Sequence, residues 1–204
     1  MYYITPYIEQ ENVFNNPTDT VVASSAIKTF YCPSRRQPTL YGTAQTARCD
    51  YAGNGGLDMA GEGTQGVLMR QWRSPGSKPA NAPVEQRRRM SDITDGTSNT
   101  LLVAEKQCHP SVLGSSGGDN ETWNNSGWDQ DHVRFAEAVP EPDNLHPTSA
   151  SGTFWSVRFG GSHPNVFTGV LSDGSTRSFR YTTNLANWQR LILINDGQVL
   201  VNDF

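Results

Sequence analysis

The chain has 204 residues, among them 19 Gly and 12 Pro, and its formal net charge is −4. This length predicts a single domain over residues 1–204, and the 5 Trp, 7 Tyr and 8 Phe supply hydrophobic anchors that disordered chains lack, so the composition indicates a folded but loop-rich protein. The acidic balance excludes the basic surface of a nucleic-acid-binding protein. No apolar run approaches the roughly 20 residues of a membrane span, and the first residues lack the pattern of a signal peptide.

Few regular elements are predicted in the first part of the chain. Thr5 and Pro6 indicate the start of a short helix, since Pro is favoured at the first helical position. Residues 27–32 are expected to form a strand that Pro33 ends, and residues 66–69 a second one.

The cysteines leave two alternatives open. Cys32 and Cys49 could form a disulfide in an oxidising compartment, which would leave Cys108 as the odd free thiol. The sequence alone does not decide between this pairing and three free thiols.

A turn followed by a buried strand is predicted near the middle of the chain. Residues 92–98 are rich in turn-forming types, and the apolar run 101–104 follows them. Within this segment we assign Asp95 and Gly96 to the turn and Asn99 to capping of the backbone.

Residues 108–151 consist almost entirely of loop-forming residues. This length is unusual inside a compact domain and indicates an elaborated surface or a binding face. The segment contains four acidic residues within a short span, and carboxylates on flexible loops are ligands that calcium prefers: Asp119, Glu121, Asp129 and Asp131. The spacing does not fit an EF-hand, and a solvated acidic loop without metal is the alternative.

Two tryptophans of the same segment could form a binding surface. Trp123 and Trp128 could stack on a sugar or contact a partner protein, because Trp is enriched at binding hot spots. The alternative is that they fill a core that is short of aliphatic side chains.

The last third of the chain is the most regular. Strands are predicted at residues 154–159 and 166–171, and Asp173-Gly174 supplies a tight turn into a further strand at 176–179. His163 is assigned to fixing the loop before the second of these strands. Residues 184–194 are expected to form a helix capped by Asn184.

The motifs that would indicate an enzyme are weak. Gly61, Gly63 and Gly66 match a dinucleotide-binding fingerprint in spacing, but they are followed by a predicted strand instead of a helix. A nucleophile elbow is missing, and the four histidines do not have the spacing of zinc ligands. We therefore predict a protein that is not an enzyme, with no cofactor other than a candidate calcium ion.

Several segments, in the same order along the chain, resemble one bacterial family. The segment GGSHPNVFTGVLSDGSTRSF resembles the C-terminal signature of the DUF1559 family, a His, nine residues and Asp-Gly, and members of this family are abundant in Planctomycetes. Four further segments are similar to family motifs: YITPYIEQ at residues 3–10, FYCPS at 30–34, DYAGN at 50–54 and ITDGTSNTLLVAEK at 93–106. The family usually carries a prepilin-type signal and an apolar helix ahead of PYIEQ, whereas this sequence begins at that segment.

This resemblance implies an α+β fold: a pseudopilin-like head with a small antiparallel sheet, few short helices and long loops. It also implies a non-enzymatic, extracytoplasmic structural protein, a subunit of a filament or cell-envelope assembly. Such a subunit would form homo-oligomers or join a larger protein assembly, and would reach the membrane only through the N-terminal helix that this chain lacks. The alternative is a binding module, an accessory subunit or a glycan or solute binder, that uses the Trp-rich acidic loop.

Overall fold

The structure is a computed structural model, and it describes residues 1–61, 63–70, 87–115, 118–125, 128–145 and 157–201. In these ranges the chain has an α+β fold with few short helices, as predicted. The helices are α1 (Glu11–Phe14), α2 (Asp19–Ala23) and α3 (Leu185–Ile192), and short 3-10 segments add single turns, such as Tyr2–Ile8 and Lys28–Phe30. None of the helices among these residues is long and apolar enough to cross a membrane.

Among the described residues, the main sheet has five strands, and their order is β5-β3-β4-β6-β7. The strands are β3 (Tyr51–Asn54), β4 (Leu101–Glu105), β5 (Val133–Arg134), β6 (Val166–Leu171) and β7 (Thr176–Arg180). A separate two-stranded sheet pairs β1 (Leu40–Tyr41) with β2 (Thr46–Ala47). Four strands of the main sheet, β3, β4, β6 and β7, pair antiparallel, as predicted, and the sheet becomes mixed because β5 pairs parallel to β3.

One face of the main sheet is covered by α3, which forms the larger hydrophobic core. Asn184 caps this helix by accepting a hydrogen bond from the Asn187 N–H at 2.9 Å, as the sequence indicates. The helix side chains Trp188, Leu191 and Ile192 are buried against the inward-facing residues of the strands: Ala52, Leu101, Ala104, Phe167, Leu171 and Phe179.

A second hydrophobic cluster lies under the N-terminal segments. It gathers apolar side chains from residues 13–49 around Trp123: Val13, Val22, Ile27, Phe30, Tyr31, Ala47 and Cys49. Tyr51 packs against this cluster, whereas its neighbour Ala52 belongs to the α3 core, because successive side chains of a strand point to opposite faces.

Two predicted strands are wrong, and a third lies mostly outside the described residues. Residues 28–30 form a 3-10 turn, since the run from 27 to 32 finds no neighbouring strand and instead buries its side chains in the N-terminal cluster. Residues 66–69 form bends in which a single hydrogen bond, from the Leu68 N–H to Asn54 O, reaches β3. Of the predicted strand at 154–159, only Phe159 is described in a β-bridge, and its partner is Lys106.

Candidate functional site

The two Asp-Gly turns predicted from the sequence lie next to each other. The Asp95 carboxylate accepts hydrogen bonds from the N–H groups of Asp196 (2.6 Å) and Gly197 (2.9 Å), and the Asn99 side chain donates to Asp95 O at 3.1 Å. Gly96 has a φ of 97°. These contacts join the turn to the segment that follows α3.

In the second turn, Asp173 accepts from the Ser175 N–H at 2.9 Å, and its own N–H donates to Thr97 O at 3.1 Å. Gly174 has a φ of 88°, in the left-handed region that glycine tolerates best. The hairpin tip is therefore tied to the first turn.

Asp119 of the acidic loop is fully buried, and protein cations surround it. Arg36 binds both of its carboxylate oxygens, at 2.6 and 2.8 Å, and Lys106 Nζ lies 3.3 Å away. Burial alone would raise the pKa of Asp119, but Lys106 and Arg36 outweigh it and hold the pKa at about 2. Asp119 is thus a structural anion that is already neutralised.

The other three acidic residues of the loop contact the backbone and one another. Asp131 accepts from the Glu121 N–H at 3.0 Å, and Asp129 accepts from the Asp131 N–H at 2.9 Å. Burial is the main reason why the pKa of Asp131 rises to about 6. Within the described ranges, these carboxylates do not bring three ligand atoms together, and calcium at this loop stays a prediction.

The two tryptophans proposed for binding have different environments. Trp123 is 1% exposed, lies with its ring 5.2 Å from that of Phe30 and donates from Nε1 to Ser25 O at 3.0 Å. A ring buried in this way cannot stack on a sugar, so the binding role proposed for Trp123 is wrong and the core alternative holds. Trp128 is half-buried against Phe135, with the ring centres 5.9 Å apart.

All three cysteines are buried free thiols, so the alternative of a Cys32–Cys49 disulfide is not realised. The Cys32 sulfur faces His163, whereas the Cys49 sulfur contacts the backbone of Tyr51 at 3.5 Å.

Cys32, Glu105 and His163 form a cluster that the sequence motifs did not reveal. Cys32 Sγ lies 3.4 Å from His163 Nε2, and the same nitrogen lies 3.1 Å from Glu105 Oε1. Cys32 follows a 3-10 turn, Glu105 ends β4 and His163 lies in the loop before β6, so three distant segments supply the cluster. The sequence predicts for His163 only a role in fixing the loop before β6, but the residue also contacts Cys32 and Glu105, which are distant in the sequence.

Zinc-like spacing could not have revealed this cluster, because its members are 58 to 131 positions apart. One signal was present in the sequence: Cys32, Glu105 and His163 each belong to a different segment that resembles the family motifs. Only the pairing of β4 with β6 brings two of these segments together.

An apolar surface lies on the N-terminal segment. Tyr3, Ile4 and Tyr7 are 80%, 46% and 87% exposed. Beside them, a groove of about 150 Å³ runs between this segment and the sheet, and its lining is almost wholly apolar: Met1, Ile4, Ile8, Thr29, Phe30, Tyr51 and Val103. We call these three exposed residues and the groove the N-terminal apolar surface.

Comparison with known proteins identifies a family. The model of a family described as protein of unknown function, DUF1559, matches residues 1–186 of the chain. No curated protein and no solved structure matches it.

Proposed function

The chain belongs to the DUF1559 family, and we propose that it is a non-enzymatic structural protein, a pilin-like subunit of an extracytoplasmic filament or cell-envelope assembly. The observation that carries this proposal is the N-terminal apolar surface. Exposed apolar side chains beside an apolar groove commonly mark an interaction site.

The position of this surface fits a subunit that packs against copies of itself. It lies beside the face of the sheet opposite α3, where Val103 and Val170 face each other across β4 and β6 and are half-buried. An apolar helix or a neighbouring subunit laid along this face would bury the groove and the exposed tyrosines together. Burial of apolar area at roughly 25 cal/mol per Å² would drive such packing.

Photo-crosslinking in the native cells tests this proposal. A photo-reactive phenylalanine analogue is placed at Tyr7 in the full-length protein, and we expect ladders of cross-linked copies in the cell-envelope or filament fraction. Val199 is the matched control position, because it is 81% exposed and lies outside the N-terminal apolar surface. Self-crosslinks of equal yield at both positions, or a protein confined to the cytosolic fraction, would contradict the proposal.

A binding module is the second candidate. It loses the support of the buried Trp123, and the observation that favours it is the cluster of Cys32, Glu105 and His163, whose side chains are suited to a metal ion. Subunits that assemble can also carry such a site, so the two functions do not exclude each other.

A further inference from the structure

The atoms of Cys32, Glu105 and His163 have the mutual spacing of metal ligands. The sulfur, the imidazole nitrogen and a carboxylate oxygen all lie within 4.8 Å of one another. Around a tetrahedral Zn²⁺ ion, with Zn–S near 2.3 Å and Zn–N near 2.0–2.1 Å, sulfur and nitrogen are about 3.6 Å apart and nitrogen and oxygen about 3.3 Å. The corresponding separations here are 3.4 and 3.1 Å, so a small expansion of the cluster would make room for the ion in a ligand shell.

The same geometry disfavours a catalytic relay. In a nucleophile–histidine–carboxylate triad, the nucleophile and the carboxylate bond to different ring nitrogens of the histidine. One nitrogen accepts the proton of the nucleophile, while the other donates a hydrogen bond to the carboxylate. Here both Cys32 and Glu105 contact Nε2 of His163. A neutral Nε2 that donates to the carboxylate cannot also accept the thiol proton. The three side chains instead face a common point.

Hydrogen bonds outside the cluster hold the carboxylate in place. Glu105 is completely buried, and its Oε2 accepts from the Thr168 N–H at 2.7 Å and from the Thr168 hydroxyl at 2.9 Å. Its other oxygen is thereby directed at His163. Outer hydrogen bonds of this kind orient metal ligands and raise their affinity for the ion.

Space, access and charge also fit a divalent cation. The backbone at Gly161 comes so close that a Cβ there would lie 2.9 Å from Glu105 Oε2, so this loop closes one side of the cluster. The His163 side chain is 27% exposed, which leaves another side open to solvent. A divalent cation can displace the proton of the Cys32 thiol, because the thiolate is the form of cysteine that binds a metal.

We propose that Cys32, Glu105 and His163 bind Zn²⁺ through three protein ligands, with a fourth position open to water or to an exogenous ligand. A thiolate, a carboxylate and a neutral imidazole are ligands that Zn²⁺ uses, and three of them with an open position are typical of zinc centres that act on a bound molecule. On binding, Cys32 releases its proton to solvent, and the Nε2 proton of His163 passes to Nδ1 by way of solvent. The Cys32 Sγ–Zn and His163 Nε2–Zn bonds then form, with no change of oxidation state. This proposal stands independently of assembly, which uses a different surface.

Cobalt titration of the full chain, purified without a histidine tag and freed of metal by chelation, tests the site. We expect one Co²⁺ per chain, a sulfur-to-cobalt charge-transfer band in the near ultraviolet, and loss of that band when Zn²⁺ is added in stoichiometric amount. Cys32→Ala should abolish the band. The matched control is Cys108→Ala, which removes another buried thiol and should leave the band intact.

A second variant covers the case in which Cys32→Ala does not fold. His163 is partly exposed, so His163→Ala should fold and weaken Co²⁺ binding at least 100-fold, whereas Thr168→Val should weaken it about 10-fold through the lost hydroxyl. A wild-type protein without the charge-transfer band, or a band that survives in Cys32→Ala or is unchanged in His163→Ala, would overturn the zinc site.

Discussion

Asp119 is a buried carboxylate with charged side chains close to it. Arg36 binds both of its oxygens, and the Gly114 N–H donates to it at 2.7 Å. Removing one member of a buried ion pair leaves its partner uncompensated in a medium that solvates charge poorly.

We therefore expect Asp119→Asn to lower the free energy of unfolding by about 3–5 kcal/mol. Urea unfolding followed by fluorescence measures the change. Asp19→Asn is the matched control, because Asp19 is exposed at the start of α2 and should change stability far less. Equal effects of the two substitutions would show that the buried pair adds no net stability.

Asp131 and His132 are neighbours that titrate in the same pH range with opposite effects on stability. The pKa of Asp131 rises from 3.8 to about 6 mainly through burial, so its contribution to stability is present below pH 4 and is lost as pH rises through 6. The pKa of His132 falls from 6.5 to about 4, again mainly through burial, so its contribution is present above pH 6.5 and is lost as pH falls toward 4.

In the wild type these two effects largely cancel between pH 6.5 and 4. Asp131→Asn keeps a side-chain oxygen that can accept the hydrogen bond from the Glu121 N–H, but it removes the carboxyl group that titrates. We expect this variant to lose about 3 kcal/mol more than the wild type on acidification over that range, since one pKa unit corresponds to about 1.4 kcal/mol. Urea unfolding at a series of pH values measures the difference, and parallel profiles for the two proteins would contradict it.

At the scale of elements, glycines are required for two different reasons. A Cβ at Gly66 would lie 2.3 Å from Gly56 N and 2.6 Å from Gly55 C, so two backbone segments meet without room for a side chain. Gly174 has open space around it, and only its φ of 88° disfavours other residues.

We expect Gly66→Ala to destabilise the protein by about 3 kcal/mol or more, because rigid backbone must move. Gly174→Ala should cost about 1–2 kcal/mol, the strain of one left-handed residue. Gly174→Asn should recover part of that loss, because Asn tolerates this conformation better. Thermal unfolding of the three variants checks the order, and a larger loss in Gly174→Ala than in Gly66→Ala would refute it.

At the scale of the whole molecule, Arg35 holds the loop-rich region against the sheet. It bonds to Asp143 at 2.7 Å and to the carbonyl of Lys106 at 2.7 Å, and it lies 3.3 Å from Asp50. The region 108–145 is therefore anchored by charged side chains where regular secondary structure is sparse. A bound ion that joined further parts of this region would stabilise the folded state as a whole.

The calcium prediction is tested at this scale. If Glu121, Asp129 and Asp131 bind calcium, millimolar CaCl₂ raises Tm, and excess chelator reverses the rise. Asp129→Asn is expected to abolish the calcium effect while leaving the Tm in chelator nearly unchanged. A transition that is identical in calcium and in chelator would end this hypothesis.

Local patterns in the sequence predicted the elements whose partners lie close along the chain. The hairpin of β6 and β7 follows from Asp173-Gly174 after the apolar run of β6, and α3 follows from its cap at Asn184 and its apolar face. The run 27–32 has similar apolar content, but its side chains are buried in a cluster that long-range packing creates. Periodicity cannot distinguish a strand from an irregular segment whose burial comes from elsewhere.

By itself, the sequence determined the turns, because these depend on residue types within a few positions of one another. The motifs in their order along the chain indicated the family, and the family resemblance implied the α+β class. Only the tertiary structure decided that Trp123 is core, that Arg36 neutralises Asp119, and that Cys32, Glu105 and His163 meet at one point. Each of these contacts joins segments more than 50 residues apart, and strand pairing and hydrophobic burial across the whole fold set their distances. Local sequence patterns carry no information about such distances.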